Sequence, residues 1–255
     1  MDYFKANIND IQILILGHSH AEDGISAGMF RYHCFNMAMG GQGLAIDEFI
    51  VETYIDDLPS LKFLIYPLSY HSLIAPEAYG GDDRITYFKI YYGYKQELFC
   101  EKDYELLARG MEKLKRHWNL IPERKKNDTT NNNYQNYAKE ITDWYNSMEI
   151  DSLNRDRLEH IVRLCADRDI KVVLVTMPTM TDYQKLLDST RLKMMYSAAN
   201  YLTDKYNNVS YFDFSNDVMC QDTVYFHDES HLNRIGADFF SQKLAQALDS
   251  LEILP

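Results

Sequence analysis

The stretch Ile11-Gln-Ile-Leu-Ile-Leu-Gly-His-Ser-His20 decides how the rest of the chain is read. Five of the six residues from Ile11 to Leu16 are apolar, and the run stops at a glycine. Such a run reads as a strand buried on both faces, as in a parallel sheet. Gly17 allows a sharp turn. Ser19 follows, flanked by His18 and His20. Ligands of open α/β sheets sit outside the carboxyl ends of the strands, so a hydroxyl two residues past such an end is placed to act as a nucleophile. The bland alternative is that Ser19 caps the next helix, where serine is common.

Working outward, the same alternation recurs. Tyr32 to Met39 reads as a second strand ending at Gly40-Gly41-Gln42-Gly43, and Leu44 to Leu58 has helical spacing before Pro59. Leu61 to Leu68 reads as a third strand. Ser152 to Arg168 is amphipathic, Ile170 to Thr176 is the plainest strand signal, and Asp182 to Tyr206 reads as one long helix. Val209 to Phe214 is a short strand, and Ala237 to Leu251 closes the chain as a helix. Five strands with intervening helices imply a three-layer α/β/α fold with right-handed crossovers.

The alternation breaks between Ser69 and Met148, which holds 10 of the 20 tyrosines. Tyr104 to Trp118 and Tyr134 to Met148 have helical periodicity, and the polar tract Asn127 to Asn133 reads as an exposed loop. We read one domain over 1–255, with a Tyr-rich helical cap inserted at about 70–148. The tyrosines suit ordinary packing of a small insert, or a platform for a sugar, since tyrosine offers a flat face and a hydroxyl. The basic run Arg109 to Lys126 reads as a solvated helix face in preference to an anion site.

Composition narrows the function classes. A net charge of -12 argues against nucleic acid as the main partner. No run reaches the roughly 20 apolar residues a membrane span needs. Met1 to Asp10 lacks the pattern of a signal peptide. Cys34, Cys100, Cys165 and Cys220 are far apart and form no CxxC pair, which suits reduced thiols and a cytoplasmic location. The sequence leaves the oligomeric state open.

Near the C-terminus, Asp228 and His231 stand three positions apart just before the last helix. A serine hydroxyl needs a base to remove its proton, and histidine does this near neutral pH. The base needs a carboxylate to fix its tautomer and stabilise the imidazolium. An Asp-x-x-His turn can supply both, although aspartate at such a place is also an ordinary helix cap.

Taken together, Gly17-His-Ser19, Asn36-Met-Ala-Met-Gly-Gly41 and Asp228-Glu-Ser-His231-Leu-Asn-x-x-Gly-Ala resemble, in kind and order, the motifs of the SGNH (GDSL-type) hydrolases. The strand Lys171 to Thr176 with Met177-Pro178 fits as well. The resemblance spans Ile11 to Leu68 and Arg168 to Leu251, leaving the insert uncovered. It implies a flavodoxin-like sandwich and an esterase, lipase, carbohydrate acetyl-esterase or O-acyltransferase activity. It also implies Ser19 as nucleophile, His231 as base and Asp228 as its orienter, with the Ser19 and Gly41 amides as oxyanion donors. Two positions depart from the family pattern. His18 stands where the family has aspartate, and Pro67-Leu68-Ser69-Tyr70 stands where it has Gly-x-Asn-Asp. Ser69 is the nearest substitute for the missing asparagine, the family's side-chain oxyanion donor.

His18, His20, Tyr70 and His227 are expected to line the substrate space. The reading is of an ester substrate, small or carbohydrate, with no cofactor. Two alternatives stand beside it. One is an SGNH-fold binding protein with weak or no turnover. The other is a metal site built from His18-x-His20 and His227-Asp228-x-x-His231, which departs from His-Glu-x-x-His because Asp228 takes the place of the glutamate.

Overall fold

The computed structural model describes residues 2–79, 84–95, 98, 100, 103, 105–106, 134–148 and 152–253. Five strands form one sheet: β1 (Ile13–Ile15), β2 (Cys34–Asn36), β3 (Phe63–Pro67), β4 (Lys171–Thr176) and β5 (Val209–Asp213). Their order is β2-β1-β3-β4-β5, and every neighbouring pair is parallel.

The inner strands β1, β3 and β4 are largely apolar because both faces are covered, whereas the edge strands β2 and β5 are only partly buried. On one face Leu14, Leu64, Tyr66, Val172 and Leu174 pack with the helices Leu44–Tyr54, Leu153–Ala166 and Ser189–Lys205. On the other, Ile13, Ile15, Phe63, Ile65, Val173 and Val175 pack with Phe240, Leu244 and Leu248 of the helix Arg234–Ile253. Each fully buried aliphatic side chain of this kind stabilises the fold by about 1.5–3 kcal/mol.

Right-handed crossovers explain which helix lies where. The path from β1 to β2 runs one way across the sheet; those from β2 to β3, β3 to β4 and β4 to β5 run the other way. The three helices on the latter path therefore share one face. The opposite face carries only the short helix Ser19–Gly24 from a crossover, and the C-terminal helix fills the remainder. That docking carries the segment just before the final helix to the ends of β1 and β3, where the strand order reverses. Ligands of doubly wound sheets gather at such a switch point.

Several boundaries differ from the sequence reading. The second strand is confined to Cys34–Asn36. Asn36 Nδ2 donates to the Ala21 and Ile25 carbonyls and its Oδ1 accepts from the Ala38 amide, while the amides of Met37 and Met39 still donate to the Ile15 and Gly17 carbonyls beyond the strand's end. The helix read over 182–206 is two, Thr181–Gln184 and Ser189–Lys205. Asp188 caps the second by accepting from Thr190 N and Arg191 N. The last helix starts at Arg234 rather than Ala237, with Asn233 Oδ1 accepting from Gly236 N. Within the tyrosine-rich segment, Arg84–Tyr92 and Tyr134–Ser147 are helices. The expected helix over 104–118 lies largely outside the described residues. The basic run from Arg109 and the loop from Asn127 lie wholly outside them.

Candidate active site

The turn after β1 is set by Gly17. Its φ is +102°, and a Cβ there would lie 2.6 Å from Pro67 Cγ, so only glycine fits beside the end of β3. Buried Asp47 holds this turn by accepting from Gly17 N at 2.9 Å and from Gln42 Nε2 at 2.6 Å. One carboxylate thus ties the turn at Gly17 to the glycine turn at Gly40-Gly41. Burial raises the Asp47 pKa to about 7 against the lowering effect of those two hydrogen bonds. The sequence reading did not single out Asp47. Its signal was an acid among the buried positions Leu44, Ile46, Ile50 and Val51 of one helix.

The helix Ser19–Gly24 starts at the serine, but its cap is His18, whose Nδ1 accepts from His20 N at 3.4 Å. Ser19 is therefore released from the capping role. Its Oγ lies 2.8 Å from His231 Nε2. His231 Nδ1 lies 2.9 Å from both carboxylate oxygens of Asp228. Asp228 Oδ1 also accepts from the amides of Ser230 and His231, each at 2.9 Å, so it closes the turn and orients the ring together. The structure thus brings together Ser19, His231 and Asp228, which are up to 212 positions apart in sequence.

The electrostatics of this trio suit a proton relay. Burial works to raise the Asp228 pKa, but the hydrogen bond and charge of His231 outweigh it and hold the carboxyl well below its usual range. For His231, burial lowers the pKa and the hydrogen bond and charge of Asp228 outweigh it, leaving the ring above the ordinary histidine value.

On the β3 side, Ser69 Oγ lies 3.1 Å from His20 Nδ1 and its amide donates to Ser72 Oγ at 2.9 Å. Gly41 has φ +81°, and a Cβ there would lie 2.0 Å from the Tyr79 carbonyl oxygen. Its own carbonyl accepts from Tyr79 N at 2.9 Å. A cavity of about 240 Å³ opens beside this pair, lined by His20, Ser69, Tyr70, Met177, Tyr183 and Met195 among others. Tyr70 and His20 are among the residues of its wall.

His18 does not line that cavity. It is 1% exposed and packs against His71, ring centroids 4.1 Å apart. His227 sits on the outer side of Asp228, its Nε2 3.2 Å from Asp228 Oδ2, and is likewise no part of the cavity wall. His71, which the sequence reading passed over, is 1% exposed with neither ring nitrogen hydrogen-bonded, and stacks on Tyr145 at 4.4 Å and 4°. Nothing in its local sequence marks it, because its neighbours come from β1 and from the helix Tyr134–Ser147.

Among the described residues, two groups place ligand atoms close enough for a metal: His227 with Asp228 and His231, and Glu48 with Glu52 and His160. In the first, Asp228 and His231 already bond one another. In the second, Glu48 Oε1 lies 2.8 Å from His160 Nδ1. The His18-x-His20 pair joins neither group. No helix among the described residues is long and apolar enough to cross a membrane.

Comparison with known proteins adds the fold's relatives. No protein-family model matches the sequence, and no curated protein matches it. Solved structures do match in shape. A Streptococcus pneumonia protein provisionally described as a platelet activating factor superposes with a TM-score of 0.50 at 12% identity, covering 97% of this chain and 90% of that one. An acetyl xylan esterase gives 0.49 at 13% identity, covering 93% of this chain and 100% of its own. A GDSL-like lipase from Bacteroides thetaiotaomicron gives 0.44 at 11% identity, covering 95% and 89%. At such identities the likeness is one of fold, a five-stranded parallel sheet between two helical layers, while the motifs around Ser19, Gly41 and His231 resemble those of the SGNH (GDSL-type) hydrolases.

Proposed function

We propose that the chain is a serine-dependent acyl-ester hydrolase or O-acyltransferase of SGNH type, acting on an acylated carbohydrate. The observation that carries this reading is the unbroken relay Ser19 Oγ–His231 Nε2 at 2.8 Å and His231 Nδ1–Asp228 at 2.9 Å. In the first step Ser19 Oγ bonds to the ester carbonyl carbon, the C=O electron pair moves to oxygen, and the serine proton passes to His231 Nε2. Asp228 stabilises the imidazolium. The amides of Ser19 and Gly41 bind the oxyanion, with the hydrogen-bonded pair of His20, after β1, and Ser69, after β3, as the side-chain part of the hole. Collapse breaks the C–O bond to the alcohol, which takes the proton from His231. Water, or a sugar hydroxyl in the transferase case, then repeats the sequence on the acyl-enzyme.

The cavity beside His20 and Ser69 supports an ester with a sugar moiety, since Tyr70, Tyr183 and Tyr196 line it. Tyr145 stacking on His71 supports the segment at about 70–148 as a cap over a single domain. The four free cysteines fit a reducing, cytoplasmic setting. A binding protein with little turnover is the second reading, favoured by Ser69 in place of the family's asparagine. Kinetics separate the two. Ser19→Ala should remove turnover of short p-nitrophenyl esters by several powers of ten with thermal stability nearly unchanged. Retention of most of the activity would reject the serine mechanism.

A further inference from the structure

The family's asparagine donor is missing after β3, and the residue in its place, Ser69, pairs with the ring of His20 at the cavity wall. His20 Nδ1 and Ser69 Oγ are 3.1 Å apart, at 7% and 6% exposure. They come from the two strand ends that flank the switch point. A hydroxyl carries one proton, and a neutral imidazole carries one on either nitrogen. Burial, with His18 and His231 nearby, keeps His20 neutral near pH 7 against the opposing pull of Asp228.

Two proton arrangements exist. If Nδ1 carries the ring proton, it donates to Ser69 Oγ, and the serine proton then needs another acceptor. Among the described residues Ser69 Oγ has one hydrogen-bond partner, His20 Nδ1. A buried hydroxyl proton without an acceptor costs about 1–3 kcal/mol. If Ser69 donates to Nδ1, that cost is absent and the ring proton sits on Nε2, at the far side of the ring from Ser69. His20 lines the cavity, and its ring stands nearly perpendicular to those of His231, with centroids 5.1 Å apart at 87°, and of His71, at 5.4 Å and 88°. A donor held rigidly where charge develops is what an oxyanion hole requires.

We propose that His20 Nε2–H is the side-chain donor to the oxyanion, and that Ser69 is the positioning residue that sets the His20 tautomer. This rests on the acyl-transfer reading above. A serine hydroxyl is shorter than an asparagine amide, and the residue next to the nucleophile supplies the reach that position 69 has lost.

The test combines ¹⁵N NMR of the histidine rings with kinetics on p-nitrophenyl acetate and butyrate. In the unsubstituted protein the His20 proton is expected on Nε2, and in Ser69→Ala the tautomers should mix. His20→Ala should lower kcat about 10²–10³-fold with KM nearly unchanged, as for loss of one oxyanion donor. His20→Gln, which keeps a side-chain N–H, should recover part of that loss, and Ser69→Ala should cost less than His20→Ala. A proton on Nδ1, full kcat in His20→Ala, or a larger loss from Ser69→Ala would overturn the proposal. The NMR reading needs no variant, so it stands even if His20→Ala fails to fold. If Ser19 of the unsubstituted protein takes a fluorophosphonate while His20→Ala keeps full kcat, the donor assignment alone falls. If no label and no turnover are found, the acyl-transfer reading falls and the donor assignment with it.

Discussion

His231 and His71 each pack against the ring of His20 and show how far surroundings govern one side chain. His231 has a partner on each ring nitrogen, Ser19 in front and Asp228 behind. His71 has none and is sealed between Tyr145 and His18. Asp228 pushes the first pKa up, whereas burial followed by the neighbouring His20 and His231 pulls the second well down. A paired imidazole is ready to gain and lose a proton. An unpaired buried one is a flat, neutral wall. Function at this site is therefore argued from partners, not from a count of histidines.

Removing the partner of His231 should have the larger effect. Asp228→Asn leaves the ring without its charge and free to take the wrong tautomer, and a change of that kind in a serine triad costs about 10⁴-fold in kcat. It should also move the pH profile. The base must be neutral to accept the serine proton, and Asp228 raises its pKa, so the acid limb of kcat/KM should shift to lower pH in the variant. A limb that stays in place would mean that another group limits the rate at low pH.

His71→Phe should have a small effect on activity and a readable one on stability. The folded state holds His71 neutral, while the unfolded chain protonates it below its ordinary pKa of about 6.5. Stability contributed by keeping it neutral is thus present at higher pH and lost progressively as pH falls from about 6.5. Phenylalanine cannot titrate and leaves no unpartnered nitrogen. The variant's melting temperature should fall less steeply on acidification, with His18 and His20, whose pKa values are also pulled down, supplying the slope that remains. An unchanged slope would show that His71 has no part in the acid response.

The same contrast marks what was legible in the sequence. The sheet was readable because its inner strands are covered on both faces and so form apolar runs, as in Phe63–Pro67. The pieces around Ser19, Gly41 and His231 were readable because turns need glycine and because Asp228 and His231 share one turn. Where side chains interrupt backbone pattern, the reading failed. The second strand ended at Asn36, whose side chain bonds to backbone, and Asp188 split a long helix in two. The roles of His20, His71 and Asp47 depend on partners 30 or more positions away. His20 meets Ser69 across the switch point, and His71 meets Tyr145 of another helix. No local spacing encodes such meetings.

The proposed role of Ser19 as nucleophile rests on its relay to His231 and Asp228. Incubation with a fluorophosphonate, followed by mass spectrometry of the digested protein, tests it most directly. One adduct should appear per chain, on the peptide carrying Ser19, and it should be absent in Ser19→Ala and much slower to form in Asp228→Asn. An intact protein that takes no label, or takes it on Ser69 instead of Ser19, would contradict the account.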